Sequence, residues 1–218
     1  MSRAPVVLLT GFDPFDGAAD NPSWEAARRL HGEVVGGHRI EAVRLPTAFG
    51  RGAAALLDAL DRHRPALVLC VGLAGSRDAL SLERVAVNLI DARIPDNDGA
   101  QPVDVPCVTG APDAYFTTLP VKAALVALRD AGIAAELSMS AGGFVCNHVF
   151  YVLMHALAAE PGRPRGGFVH VPQSAGAAAR RSGRVGMPLE TMVAGLRLVV
   201  ETALRTEDDL HFAAGTTC

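Results

Sequence analysis

Short aliphatic runs alternate along this chain with longer stretches in which apolar residues recur every three or four positions. The runs predict buried strands and the longer stretches predict amphipathic helices. Val6–Thr10 is the first strand. Asn21-Pro22-Ser23 then starts a helix, with Trp24–Leu30 following. Ile40–Leu45 is a strand, Gly50–His63 an alanine-rich helix and Leu67–Val71 a strand of continuous apolar character. Leu82–Leu89 is predicted as one strand carrying Glu83, Arg84 and Asn88. A helix over Pro120–Ala131 stops at Gly132, and a strand over Ala134–Met139 follows. After Ala141-Gly142-Gly143, the residues Val145, Val149, Val152, Leu153 and Ala156 fall at helical spacing. Phe168–Val171 is the last strand and Pro188–Arg205 the closing helix. Strands alternating with helices predict an α/β fold with a mainly parallel sheet and helices on both faces.

Length and charge narrow the classes. At 218 residues, half of them hydrophobic, the chain suits one domain with a proper core. Its 20 basic and 23 acidic residues are dispersed and leave a formal charge of −3, which argues against nucleic-acid or anionic-membrane partners. The apolar run Pro5–Leu9 is too short for a signal-peptide core or a membrane span, so a soluble, cytoplasmic protein is expected. The small, polar segment Gln173–Gly186 is expected to be mobile and the tail from about Thr206 partly disordered. Four cysteines, Cys70, Cys107, Cys146 and Cys218, are too few and too scattered for a disulfide framework.

Among the four cysteines, only Cys146 has a catalytic setting. It stands in the first turn of a helix just beyond a glycine turn. There the helix's positive end and free N–H groups favour a thiolate and are able to hold an oxyanion. A buried core thiol is the plainer reading, and a partner base decides between them. His170 ends a strand, where ligands of such sheets bind, and follows Cys146 by one helix and one loop, the connection expected for a neighbouring parallel strand. His148 is two residues from Cys146 on the same helix and faces elsewhere. It shares a face with His155, but no third metal ligand is evident. Glu83 is the best third group, placed at a strand start; an ion pair with Arg84 or Arg93 accounts for it equally well. Gly72–Ser76 lacks the spacing of a nucleotide-binding loop, and Asp96-Asn97-Asp98-Gly99 lacks that of a calcium loop, which leaves a plain acidic turn. Phe12 and Phe15 lie in a loop at a strand's carboxyl end. They serve there either as a lid folded onto the core or as the apolar wall of a pocket.

Thr10-Gly11-Phe12-Asp13-Pro14-Phe15, Glu83-Arg84-Val85-Ala86-Val87-Asn88, Asp91-Ala92-Arg93-Ile94-Pro95-Asp96-Asn97, Ser140–Asn147 and Phe168-Val169-His170-Val171-Pro172 occur in that order. Together they resemble the pyroglutamyl-peptidase I (pyrrolidone-carboxylate peptidase) family of cysteine peptidases. The resemblance implies a three-layer α/β/α sandwich about a twisted sheet, and removal of N-terminal pyroglutamate from peptides. It carries over Cys146 as nucleophile, His170 as base and Glu83 as third member. Phe12, Phe15, Phe144 and Val145 match positions lining the pocket for the ring, and Arg93 matches an arginine near the site, a candidate for electrostatic support whose role the resemblance does not fix. No metal or other cofactor is implied; the setting is the reduced cytoplasm, the partners are pyroglutamyl peptides, and the assembly is frequently a homotetramer. Beyond Pro172 many members read Tyr-Ile-Pro-Glu-Gln, where this chain has Gln173-Ser174-Ala175-Gly176-Ala177. Two rival readings remain: another cysteine-dependent amidase on an α/β fold, and a binding protein that kept the fold without turnover.

Overall fold

The first strand, β1 (Val6–Phe12), is apolar at almost every position because both of its faces are covered. Val7 and Leu9 enter one buried cluster, while Leu8 and Phe12 enter another on the opposite face. A computed structural model describes residues 4–159, 162, 164–176 and 186–215. Residues 177–185, the middle of the segment expected to be mobile, and Cys218 lie outside them.

Eight further strands follow: β2 (Val34–Val35), β3 (His38–Leu45), β4 (Leu67–Leu73), β5 (Leu80–Glu83), β6 (Val85–Val87), β7 (Ala114–Phe116), β8 (Ala135–Ser138) and β9 (Arg165–Val171). The helices are α1 (Pro22–Arg29), α2 (Phe49–His63), α3 (Val121–Asp130), α4 (Val145–Ala159) and α5 (Leu189–Arg205). Seven strands form one sheet in the order β2-β3-β1-β4-β9-β5-β8. Its pairings are parallel for β1–β3, β1–β4, β4–β9 and β5–β8, and antiparallel for β2–β3 and β5–β9. Helices α1, α3 and α5 cover one face and α2 and α4 the other, which completes the three layers.

Two expectations are corrected. Leu82–Leu89 is not one strand. The chain breaks at Arg84, whose N–H donates to Ser138 O and whose carbonyl accepts from Thr117 N. Beyond it, β6 leaves the main sheet to pair with β7. Glu83 therefore closes β5 rather than opening a strand. Nor is β9 the parallel neighbour of β8: β5 lies between them, parallel to β8 and antiparallel to β9.

The ends of the 173–186 segment are tied together, since Met187 N donates to Gln173 O and Ala175 N to Met187 O. The chain after α5 lies against α3. There the Asp209 carboxylate accepts from Lys122 N and Ala123 N, and the Lys122 ammonium sits 5.5 Å from the Phe212 ring centroid.

Candidate active site

Strand parity decides which side chains meet. In β4, Leu67, Leu69 and Val71 point to the α1/α3/α5 face, so Val68, Cys70 and Gly72 point to the α2/α4 face. In β9, Val169 and Val171 join the first set and Phe168 the second, which turns His170 toward α4. In β5, Leu80 and Leu82 take the first face and leave Glu83 on the second. The antiparallel register sets Ser81 opposite His170, so Glu83 is its diagonal neighbour on the same face.

That geometry joins the two side chains. Glu83 Oε1 lies 2.7 Å from His170 Nδ1, with Glu83 fully buried and His170 nearly so. Nδ1 being engaged, Nε2 is the ring atom left for proton transfer. Cys146 and His170 both line a cavity of about 460 Å³. The thiol reaches the sheet at Gly72, the register partner of His170 on β4. A Cβ on Gly72 would stand 2.8 Å from Cys146 Sγ and 2.8 Å from the Phe168 ring, so the close approach requires glycine.

The turn before α4 is built for this presentation. Gly142 has φ +84°, a left-handed conformation that a side chain disfavours. Gly143 O accepts from Asp91 N at 2.9 Å, and Phe144 O accepts the early helix bond from His148 N. The first N–H groups of α4 have no acceptor within the helix. The Asn147 side chain accepts from Val87 N and donates to Val87 O and Leu89 O, which fastens the nucleophile's turn to β6.

Burial pushes the Cys146 thiol up to about 12, with the Glu83 carboxylate adding to the shift and Arg77 opposing it. Desolvation and the Glu83 charge therefore work against the thiolate at this position, and Arg77 works for it. Cys70, fully buried, is likewise pushed up to about 12, and Cys107 to about 11.

Of the apolar residues named from the sequence, Phe12, Phe15 and Phe144 line the cavity. Phe12 is at the same time a core residue, 6.3 Å from Phe168 between ring centroids. Phe144 sits between Phe15 and Phe49, at 6.2 and 5.3 Å. Val145 is elsewhere: it is fully buried in the α2/α4 cluster and is not part of the cavity wall. Arg93 is exposed at the cavity and forms no ion pair among the described residues. His148 packs edge-on to Phe49, and His155 Nδ1 lies 2.9 Å from the Tyr115 hydroxyl, so the two histidines serve separate neighbours.

The sequence did not point to Arg77. Its Nη1 donates to Glu83 Oε1 at 2.6 Å, so the ion pair offered as the alternative for Glu83 exists, with Arg77 in place of Arg84 or Arg93 and alongside the contact with His170. Gly72 matters through the pairing of β4 with β9, and Arg77 through a loop that brings it back to Glu83 six residues on and to Ser140 63 residues on, so neither role follows an apolar or helical periodicity.

Comparison with known proteins identifies the family. The family model described as pyroglutamyl peptidase matches residues 6–206. A pyrrolidone-carboxylate peptidase of Cupriavidus taiwanensis is 53% identical over 212 residues, covering 97% of this chain and 98% of that protein. One from Gloeobacter violaceus is 53% identical over 205 residues, covering 94% and 98%. The crystal structure of Bacillus amyloliquefaciens pyroglutamyl peptidase I superposes with a TM-score of 0.91 at 43% identity, over 94% of this chain and 100% of the other. The Thermococcus litoralis pyrrolidone carboxyl peptidase gives 0.92 at 36% identity, over 96% and 99%. With the motifs, the fold and these matches spanning nearly the whole chain, this protein belongs to the pyroglutamyl peptidase family.

Proposed function

We propose that this chain is a cysteine exopeptidase that hydrolyses the amide bond after an N-terminal pyroglutamyl residue, using Cys146, His170 and Glu83. The observation that carries the triad is the 2.7 Å contact between Glu83 and His170 Nδ1, with His170 and Cys146 in the wall of one cavity. A pyroglutamyl ring is a neutral lactam, so it suits apolar walls and a few hydrogen bonds rather than a charged amine site. Phe15 and Phe144 supply such walls.

The chemistry follows from the placement. His170 Nε2 takes the thiol proton as Sγ attacks the carbonyl carbon beyond the ring. The N–H groups at the start of α4 hold the developing oxyanion. Collapse of the tetrahedral adduct breaks the C–N bond, and the imidazolium returns its proton to the leaving amine. Water, deprotonated by the same nitrogen, then attacks the thioester, releasing pyroglutamate and restoring the thiol. Glu83 keeps the ring in the right tautomer and balances the imidazolium charge in each half-reaction.

We place this activity in the cytoplasm and in a homotetramer. Free thiols suit a reducing compartment, and no helix among the described residues is long and apolar enough to cross a membrane. Leu89, Val103 and Val105 are exposed hydrophobic residues on the two segments joined by the bridge between Ile90 and Val105, and such residues suit contact with a second copy. Sedimentation velocity at micromolar protein should return a species larger than the monomer; a pure monomer would remove the tetramer from this reading.

The activity is tested by chromophore release from a pyroglutamyl amide beside a glutaminyl amide. Only the first should be cleaved. Cys146→Ser should remain folded and fall below about a hundredth of wild-type turnover, since loss of a nucleophile costs up to about a million-fold. Equal cleavage of both amides, or a Cys146→Ser variant that retains turnover, defeats the assignment.

A further inference from the structure

Among the described residues, Glu83 is the one carboxylate of the site with no exposed surface, and a single one of its oxygens does most of its work. Oε1 accepts from both Arg77 Nη1 at 2.6 Å and His170 Nδ1 at 2.7 Å, while Oε2 has no hydrogen-bond partner. A buried carboxylate needs a countercharge. His170 is neutral for part of any cycle in which it acts as a base, so the lasting countercharge is Arg77. The same guanidinium donates from Nη2 to Ser140 O at 2.8 Å. Ser140 belongs to the turn that leads into Cys146, and its own Oγ accepts from Gly142 N. One planar group therefore bridges the carboxylate behind the base and the turn in front of the nucleophile. Arg77 also lines the cavity, with about a quarter of its side chain exposed.

We propose that Arg77 is a positioning residue of the site, holding the Glu83 carboxylate against His170 and the Ser140 turn beneath Cys146, and supplying the positive charge that offsets Glu83 at the thiol. The inference rests on the triad reading above. Several groups face Sγ: His170 from β9, Glu83 from β5, Cys70 from β4 and Arg77 from the β4–β5 connection. Arg93 lies on the cavity wall, and His148, on α4 itself, turns toward Phe49. Among these, Glu83 opposes the thiolate and Arg77 favours it. Charge and geometry are separable. Lysine keeps the charge but lacks the planar fork that reaches two acceptors at once.

The test uses the full chain as wild type, Arg77→Met and Arg77→Lys. Each is followed by melting temperature, by the rate of Cys146 alkylation with iodoacetamide from pH 6 to 10, and by kcat and KM on a pyroglutamyl amide. Arg77→Met should slow alkylation at pH 8 about threefold or more, the change expected for a profile moved upward by about half a pH unit. Its kcat should fall about tenfold or more with KM little changed. Arg77→Lys should restore the alkylation profile and only part of kcat. An alkylation profile in folded Arg77→Met that matches wild type overturns the proposal, as does wild-type kcat in Arg77→Lys. If Arg77→Met does not fold, kcat of Arg77→Lys decides alone. Alkylation needs no substrate, so the two readings fail separately. A wild type that ignores pyroglutamyl amides while Arg77→Met shifts the profile removes the peptidase assignment and leaves Arg77 in place.

Discussion

Gly72 leaves the gap by which the thiol approaches the strand that pairs with His170. It is a strand residue on the α4 face, paired in register with His170, and its missing Cβ is the space into which Cys146 Sγ descends. An alanine methyl there would stand 2.8 Å from the sulfur and 2.8 and 2.9 Å from two ring carbons of Phe168, which is itself wedged among Phe12, Phe150 and His170. The Phe168 ring is wedged and cannot yield, so the sulfur must leave the gap, either by rotation of Cys146 about χ1 or by α4 lifting from the sheet. Gly72→Ala is therefore expected to cost about 1–3 kcal/mol of stability, the usual range for overpacking. It should also cost about a hundredfold in kcat, the scale on which a displacement of about 1 Å acts in a catalytic site. The measurement is kcat at a temperature where circular dichroism shows the variant folded. Wild-type turnover in the folded variant would mean that the thiol does not depend on this gap.

At the scale of elements, the legible part of the chain was local. The cap at Asn21, the apolar strands β1 and β4, and the Cys146 turn are written in contiguous residues, and each formed near its expected bounds. The break at Arg84 was not legible, because Val85–Val87 continues the apolar pattern of β5 while pairing with β7, a three-residue strand without periodicity of its own. Strand order escaped for a similar reason. A helix after β8 suggested a parallel neighbour, yet β5 takes that place by pairing with both β8 and β9. The acidic turn at Asp96 had no readable purpose either. In the fold its Oδ2 accepts from Phe49 N at the start of α2, and Oδ1 accepts from Asp98 N and Ala100 N. Asn97 Nδ2 donates to Pro14 O, and Thr47 Oγ1 to Asp13 O, so one turn and one helix start together hold the loop that carries Phe15 over the cavity. The two bonds that hold the loop join residues 34 and 83 apart in the chain, beyond any local pattern.

Across the whole molecule, the sheet divides an apolar half from a reactive half. The α1/α3/α5 cluster is built of aliphatic side chains, while Cys70, Cys146, Glu83 and His170 all lie on the α2/α4 side. Burying thiols there makes stability depend on alkaline pH. Cys70 is fully buried and its thiol is pushed up to about 12 by that burial, whereas in the unfolded chain a thiol titrates near about 8.5. Between those values the unfolded state has released the proton and the native state has kept it. Stability contributed by the neutral thiol is thus fully present below about pH 8.5 and is lost as pH rises toward the native value. The slope for one such thiol is about 1.4 kcal/mol per pH unit. Cys107, Cys146 and Tyr151 are raised in the same direction, so the wild-type decline should be at least this steep. Urea unfolding of wild type and Cys70→Ala at half-unit steps from pH 8 to 10.5 measures it. Cys70→Ala loses some stability at every pH, but its curve should fall less steeply, by about one proton's slope. Parallel curves for the two proteins would show that Cys70 does not keep its proton in the folded state, and the alkaline sensitivity would then belong to Cys107, Cys146 or Tyr151.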